Sequence, residues 1–120
     1  MAIRALRGAT QLSADDFDEM REAVEELLGE MFGRNQISHA DLISVIFTAT
    51  PDLHCGFPAT AARGLGLGDV PLLCAVEIEV ASALPRVVRV LMHVETAKER
   101  AELVHVYRRG AEVLRIDLAQ

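Results

Sequence analysis

Apolar and polar positions alternate through the opening of the chain, with arginines set among the apolar residues of Ile3-Arg4-Ala5-Leu6-Arg7-Gly8-Ala9-Thr10. That pattern predicts a strand over Ala2–Gln11. Ser13-Ala14-Asp15-Asp16 then has the form of a helix start, with Ser13 as N-cap and an acidic first turn. Phe17, Met20, Val24, Leu27, Leu28 and Met31 recur at helical spacing, and Gly33 is the expected stop. Ser38 opens a short helical turn before a run rich in Ile, Val and Thr, Leu42 to Thr50, which predicts a buried strand. Thr50-Pro51-Asp52 breaks it. Phe57 to Arg63 reads as a second helix with Pro58 in its first turn.

Strands are expected at Pro71 to Val80 and Arg86 to Glu95, joined by Ala81-Ser82-Ala83-Leu84-Pro85. Thr96-Ala97-Lys98-Glu99 has the form of a capping box, so a third helix is expected to about Tyr107. Glu112 to Ile116 suits a short last strand. Mixed strands and helices without linkers or repeats give one α/β (α+β) domain over residues 1–120.

Composition sharpens this outline. Hydrophobic residues make up 51% of the 120 and aromatics only 4%, so the core is aliphatic. So much apolar content in a short chain favours burial against further copies of itself. The net charge of -6 opposes a nucleic-acid or acidic-membrane partner. Much of the acidity sits in one segment, Asp15 to Glu30, and suits a solvated helix face. A few local arginines can therefore still hold an anionic small ligand. No run approaches the ~18 apolar residues that cross a bilayer. Arg4 and Arg7 stand among the first apolar residues, unlike a signal peptide. Cys55 and Cys74 have neither metal nor redox spacing, so a reduced, cytoplasmic protein is expected.

Conventional catalytic motifs are missing. Cys74 lies in an apolar strand with no histidine near it in sequence, which suits an inert thiol. His39, His54, His93 and His105 are scattered without metal-ligand spacing. Gly64-Leu65-Gly66-Leu67-Gly68 looks superficially like a phosphate loop, but no strand leads into it and no helix pattern follows. No cofactor motif is present.

What remains is cationic. Arg89 is the one charge inside Val87-Val88-Arg89-Val90-Leu91-Met92, with no carboxylate within five residues on either side. An arginine cannot shed its charge, so a buried one needs an anionic partner, either a distant Asp or Glu or a ligand. Arg7 sits in a similar strand, and Glu77 can accept from a hydroxyl. Tyr107 can donate a further hydrogen bond. This set suits a small dianion and a reaction needing orientation and charge stabilisation. Each member also has a structural explanation. Glu77 can pair with Arg89 within the sheet, and Tyr107 can be a helix residue with its ring in the core.

These residues together carry a resemblance. The chain resembles the small trimeric α/β class of chorismate mutases, which is distinct from the all-helical enzymes. The carrying segments are Ile3 to Thr10, Ala49-Thr50-Pro51-Asp52-Leu53-His54 with Phe57-Pro58, Val70-Pro71 through Cys74 and Glu77, Arg89-Val90-Leu91-Met92, and His105-Val106-Tyr107. Val113-Leu114-Arg115 and Asp117-Leu118 follow in the same order. The resemblance implies a mixed sheet with helices on one face, assembling as a pseudo-α/β-barrel homotrimer. It implies conversion of chorismate to prephenate on the route to phenylalanine and tyrosine. That pericyclic rearrangement uses no cofactor and no covalent intermediate.

By the same resemblance, Arg89 reaches the breaking ether oxygen and a substrate carboxylate, and Arg7 and Tyr107 bind a carboxylate. Glu77 holds the ring hydroxyl, with Cys74 beside it. Phe57 and Leu114 are apolar walls, Arg63 sits near the mouth and Arg115 more peripherally. Thr60 stands where relatives can carry Lys. Cys74 and Glu77 are three apart and face opposite ways on a regular strand. A site shared between subunits reconciles them, with Phe57 and Cys74 serving one site and Arg7, Glu77, Arg89 and Tyr107 its neighbour. The alternative is a non-catalytic trimeric module that binds a small dicarboxylate at subunit clefts.

Overall fold

The structure, a computed structural model, describes residues 1–114. Five strands, β1 (Ala2–Gln11), β2 (Leu42–Ala49), β3 (Leu72–Val76), β4 (Val87–Thr96) and β5 (Val106–Arg108), form one mixed sheet in the order β3-β2-β4-β1-β5. β4 runs antiparallel to both β1 and β2, while β5 lies parallel to β1 and β3 parallel to β2. Two helices, α1 (Phe17–Asn35) and α2 (Pro58–Gly64), pack on one face.

The pleat decides what each face carries. Leu6, Val45, Phe47, Val88, Val90, Met92, Val94 and Val106 point toward the helices and join Met20, Val24, Leu27, Leu28 and Met31 of α1 in the main core. Alternate residues, among them Arg7, Thr48, Arg89 and Tyr107, turn to the opposite face. Gly8 lets α1 lie close on β1, since a Cβ there would come within 2.7 Å of Met31 Sδ and 3.2 Å of Leu27. The expected mixed sheet with helices on one face is the observed architecture.

Both termini of the first helix differ from expectation. Asp16, rather than Ser13, caps α1, accepting from the Glu19 N–H at 2.9 Å. Ser13 instead donates its N–H and hydroxyl to the Glu19 carboxylate. At the other end Gly33 is helical, and the stop comes at Gln36, whose φ of 49° is left-handed. The acidic segment is also less purely a solvated face than its charge suggests. Asp15 accepts from the N–H groups of His54 and Cys55, Glu26 pairs with Arg109 and Glu30 pairs with Arg108.

The expected third helix does not form. After Thr96 the chain makes one 3-10 turn, Arg100–Glu102, capped reciprocally by Glu99 and Glu102. Buried Asn35, at the end of α1, then takes hold of Val104. Its Oδ1 accepts the Val104 N–H at 2.7 Å, and its Nδ2 donates to the Val104 carbonyl at 2.9 Å. Fixed there, the chain leaves as β5, which places Tyr107 on a strand. The strand expected at Glu112–Ile116 is also absent over its described part, where Ala111–Leu114 is a 3-10 turn; the rest lies outside the described residues. β3 is shorter than expected because its neighbour β2 stops at Ala49 before Pro51. The last bond between them runs from the Glu77 N–H to the Ala49 carbonyl at 2.9 Å.

Candidate active site

A hollow of about 290 Å³ opens on the sheet face away from the helices. β1 supplies Arg7, Gly8 and Ala9, β2 supplies Ile46 and Thr48, and β4 supplies Arg89, Val90 and Leu91. Tyr107 comes from β5, Leu114 from the last 3-10 turn, and Glu77 from just beyond β3. Strand register explains the convergence. Arg89 pairs with Ala9 on one side and Thr48 on the other, and Ala9 pairs with Tyr107. Residues opposite one another in a sheet share a face.

Arg89 has the carboxylate that its sequence context demanded. Its Nε lies 2.6 Å from Glu77 Oε1, and the Thr48 hydroxyl donates to the same oxygen at 3.0 Å. Glu77 is largely buried, whereas the Arg89 side chain is 44% exposed, so the guanidinium faces the open hollow. A guanidinium carries five N–H donors in a planar fork, more than one carboxylate engages. Arg7 forms no ion pair among the described residues, and its backbone N–H donates to Nδ1 of His105 at 2.9 Å. Two arginines, a carboxylate, a phenol and the Thr48 hydroxyl thus line a cup whose other side chains are apolar. It has the chemistry to hold an anion that also bears a hydroxyl.

A second hollow, of about 420 Å³, lies beyond the end of β2 and under the start of α2. Phe57, Pro58, His54, Leu53 and Cys74 are among its lining residues. Phe57 is 68% exposed. The structure therefore gathers Arg7, Glu77, Arg89, Tyr107 and Leu114 in one hollow and Phe57 and Cys74 in another. Arg63 is exposed on α2 and lines neither, and Arg115 lies outside the described residues. Two residues with a part in this geometry have no distinguishing signal in the sequence. Thr48 is one hydroxyl in a β-branched run, and His105 is one of four scattered histidines. Among the described residues no cluster of His, Cys, Asp or Glu could hold a metal ion, and no helix is long and apolar enough to cross a membrane.

Fold and pocket define an α+β domain with a strand-borne arginine–carboxylate pair lining a hollow on its open sheet face. The family model for type I chorismate mutase matches residues 3–118. The chain is 44% identical over 117 residues to chorismate mutase AroH of Thermus thermophilus, covering 97% of this chain and 96% of that one. It is 38% identical over 120 residues to chorismate mutase AroH of Bacillus subtilis strain 168, covering 99% and 94%. A solved chorismate mutase from Clostridium thermocellum superposes with a TM-score of 0.90 at 44% identity, covering 92% of this chain and 98% of that one. The chain belongs to the type I chorismate mutase family, a family of isomerases.

Proposed function

We propose that this protein, a chorismate mutase by family, converts chorismate to prephenate in aromatic amino acid biosynthesis by holding a reactive conformer and stabilising charge. In that rearrangement one C–O bond breaks as a C–C bond forms within the same molecule, so no base or nucleophile is required. Arg89 donates to the ether oxygen as negative charge builds on it, and Arg7 and Tyr107 hold a carboxylate. Glu77 takes the ring hydroxyl, and its charge favours the electron-poor ring that develops. Leu114 is an apolar wall. Such preorganised donors act mainly on the transition state.

The same proposal extends to assembly. Cys74 and Phe57 of one subunit face the Arg7, Glu77, Arg89 and Tyr107 hollow of the next, in a homotrimer with three shared sites. Arg63 lies at the mouth. Support comes from the two separate hollows of a single chain and from apolar residues left exposed. Leu73, Val76 and Ile78, on or just after edge strand β3, are 61%, 70% and 88% exposed. Apolar surface of that kind is what a subunit interface covers. We place the enzyme in the cytoplasm, consistent with two free cysteines.

The observation that carries the functional proposal is the pairing of Arg89 with Glu77 at 2.6 Å in a hollow that also holds Arg7 and Tyr107. The test adds chorismate to the purified protein and follows its loss and the appearance of prephenate. Turnover that needs no added cofactor is expected. Binding of chorismate without turnover would select the non-catalytic module instead.

A further inference from the structure

Resting on the chorismate mutase proposal, we propose that His105 is a positioning residue for Arg7, holding its backbone through a hydrogen bond and so setting affinity for the substrate carboxylate. The Arg7 N–H donates to Nδ1 of His105 at 2.9 Å. The β1–β5 pairing begins one residue later, with Gly8 opposite Val106 and Ala9 opposite Tyr107. The imidazole therefore stands one step ahead of the ladder and takes the N–H where a strand carbonyl would otherwise stand. It joins the backbone that carries Arg7 to the segment that carries Tyr107. Both of those side chains line the substrate hollow.

The imidazole is itself well anchored. Asn35 holds both backbone groups of Val104, the residue before it. His105 lines a second cavity on the same sheet face, of about 400 Å³, together with Arg4, Arg7, His93 and Arg100. Arg7 thus borders both hollows. The proposed role of the bond is to hold the backbone so that the guanidinium enters the substrate hollow. Without the bond it has a roomy alternative.

The bond requires one protonation state. To accept an N–H, Nδ1 must keep its lone pair, so the proton sits on Nε2 of a neutral ring. The titratable groups that share this cavity with His105 are all basic: Arg4 and Arg7 from β1, His93 from β4 and Arg100 from the 3-10 turn. Arg4 is paired with the carboxylate of Glu99 at 3.3 Å. Burial first, and the Arg7 charge second, push the His105 pKa below its ordinary value of 6.5. Protonation would set an N–H against an N–H and a second positive charge beside Arg7. The bond is therefore intact at and above neutral pH and is lost as pH falls through the lowered pKa.

The experiment measures kcat and KM against pH for wild type, His105→Asn and His105→Ala. Asparagine offers an acceptor at the δ position but does not titrate. At pH 7.5 His105→Ala is expected to raise KM about fivefold or more, with kcat changed about twofold at most, as for loss of uniform binding. His105→Asn is expected to keep the wild-type KM there and to lose the acid-side rise in KM that wild type shows. A folded His105→Ala enzyme with unchanged KM would overturn the proposal, as would an acid rise that persists in His105→Asn. If the alanine variant fails to fold, the asparagine variant decides alone. Imidazole ¹⁵N shifts provide a readout independent of turnover: Nδ1 is expected unprotonated above pH 7, and a protonated Nδ1 would sink the proposal even in an inactive protein. Failure of the chorismate proposal looks different, since wild type itself would then show no turnover.

Discussion

Cys74 and Glu77, three residues apart in the chain, open into different hollows of the same molecule. Cys74 lies on β3 opposite Phe47, whose side chain is in the main core, and packs partly against that core. Glu77 lies just past the end of β3, bonded through its N–H to Ala49 and through its carboxylate to Thr48 and Arg89. Period-two alternation sends the two side chains opposite ways. A single subunit therefore does not bring both to one hollow, and under the proposed assembly they serve two neighbouring sites.

That split predicts complementation between two crippled variants. Arg89→Ala removes the cationic half and Phe57→Asp spoils the apolar half. The aspartate sets negative charge toward an anionic substrate while suiting the helix N-cap position that Phe57 occupies in α2. In the proposed trimer, randomly mixed subunits rebuild intact sites wherever an Arg89→Ala chain faces a Phe57→Asp chain in the right order. Roughly a quarter of wild-type sites should return from an equal mixture refolded together. Activity that never exceeds the sum of the two separate variants would show that each site belongs to one chain.

Thr48→Val should lower kcat/KM about tenfold and cost about 1 kcal/mol or more of stability. Valine keeps the shape and suits a strand. It removes the hydroxyl that donates to Glu77 Oε1 at 3.0 Å, a bond to a charged acceptor worth about 1.5–3 kcal/mol. Arg89 still holds Glu77, which limits the loss. Steady-state kinetics and thermal melts of the same preparation check both halves of the expectation.

Acid should destabilise the fold through particular carboxylates. Hydrogen bonds from Arg108 hold the Glu30 carboxyl below its ordinary 4.5, and the backbone N–H of His54 does most to lower Asp15 from 3.8. A carboxyl whose folded pKa is depressed contributes stability above its unfolded value and loses that contribution as pH falls through the folded one. Tm is therefore expected to be level above about pH 7, to decline slightly as His105 protonates and to fall most steeply below about pH 4.5. Glu30→Gln should start from a lower Tm at neutral pH and fall less steeply. A Tm–pH curve with the wild-type slope would clear Glu30 of any part in acid unfolding.

Turnover at saturating substrate should be nearly flat from about pH 6 to 9, because the rearrangement transfers no proton in its chemical step. A bell-shaped kcat profile centred near neutrality would point to a general acid or base and against the proposed mechanism.

Parts of this molecule are plain in its sequence, and parts depend on contacts that no local pattern carries. β1, α1 and β4 announce themselves because their apolar periodicity matches one face of one element. Arg89 stands out for the same reason, as a charge where the strand pattern has no place for one. The segment after Thr96 carries helix-start signals, but those signals are local. The deciding bonds run from Asn35 to Val104, 69 positions along the chain. Acidic residues Asp15, Glu26 and Glu30 fit a solvated face equally well until their partners are known. Thr48 and His105 gain their places from cross-strand register, which spacing along one strand cannot express.

Arg89 supplies the sharpest test. It pairs with Glu77 at 2.6 Å, so it has a structural role open to it as well as a chemical one. Replacing it with citrulline keeps the shape and most hydrogen-bonding capacity but removes the charge. If Arg89 acts on the ether oxygen in the transition state, kcat should fall by about 10²–10³-fold or more, with a smaller effect on substrate binding. Arg89→Lys should also be poor, because an ammonium cannot reproduce a planar fork that spans two oxygen sites. A purely structural Arg89 gives another pattern. Loss of charge would then leave the Glu77 carboxylate largely buried and unpaired, lowering Tm and weakening assembly without a selective loss of chemistry. Measuring kcat, KM, sedimentation and Tm on the same citrulline protein separates the two. A folded, assembled variant with near-normal kcat would leave Arg89 as the ion-pair partner of Glu77 and nothing more.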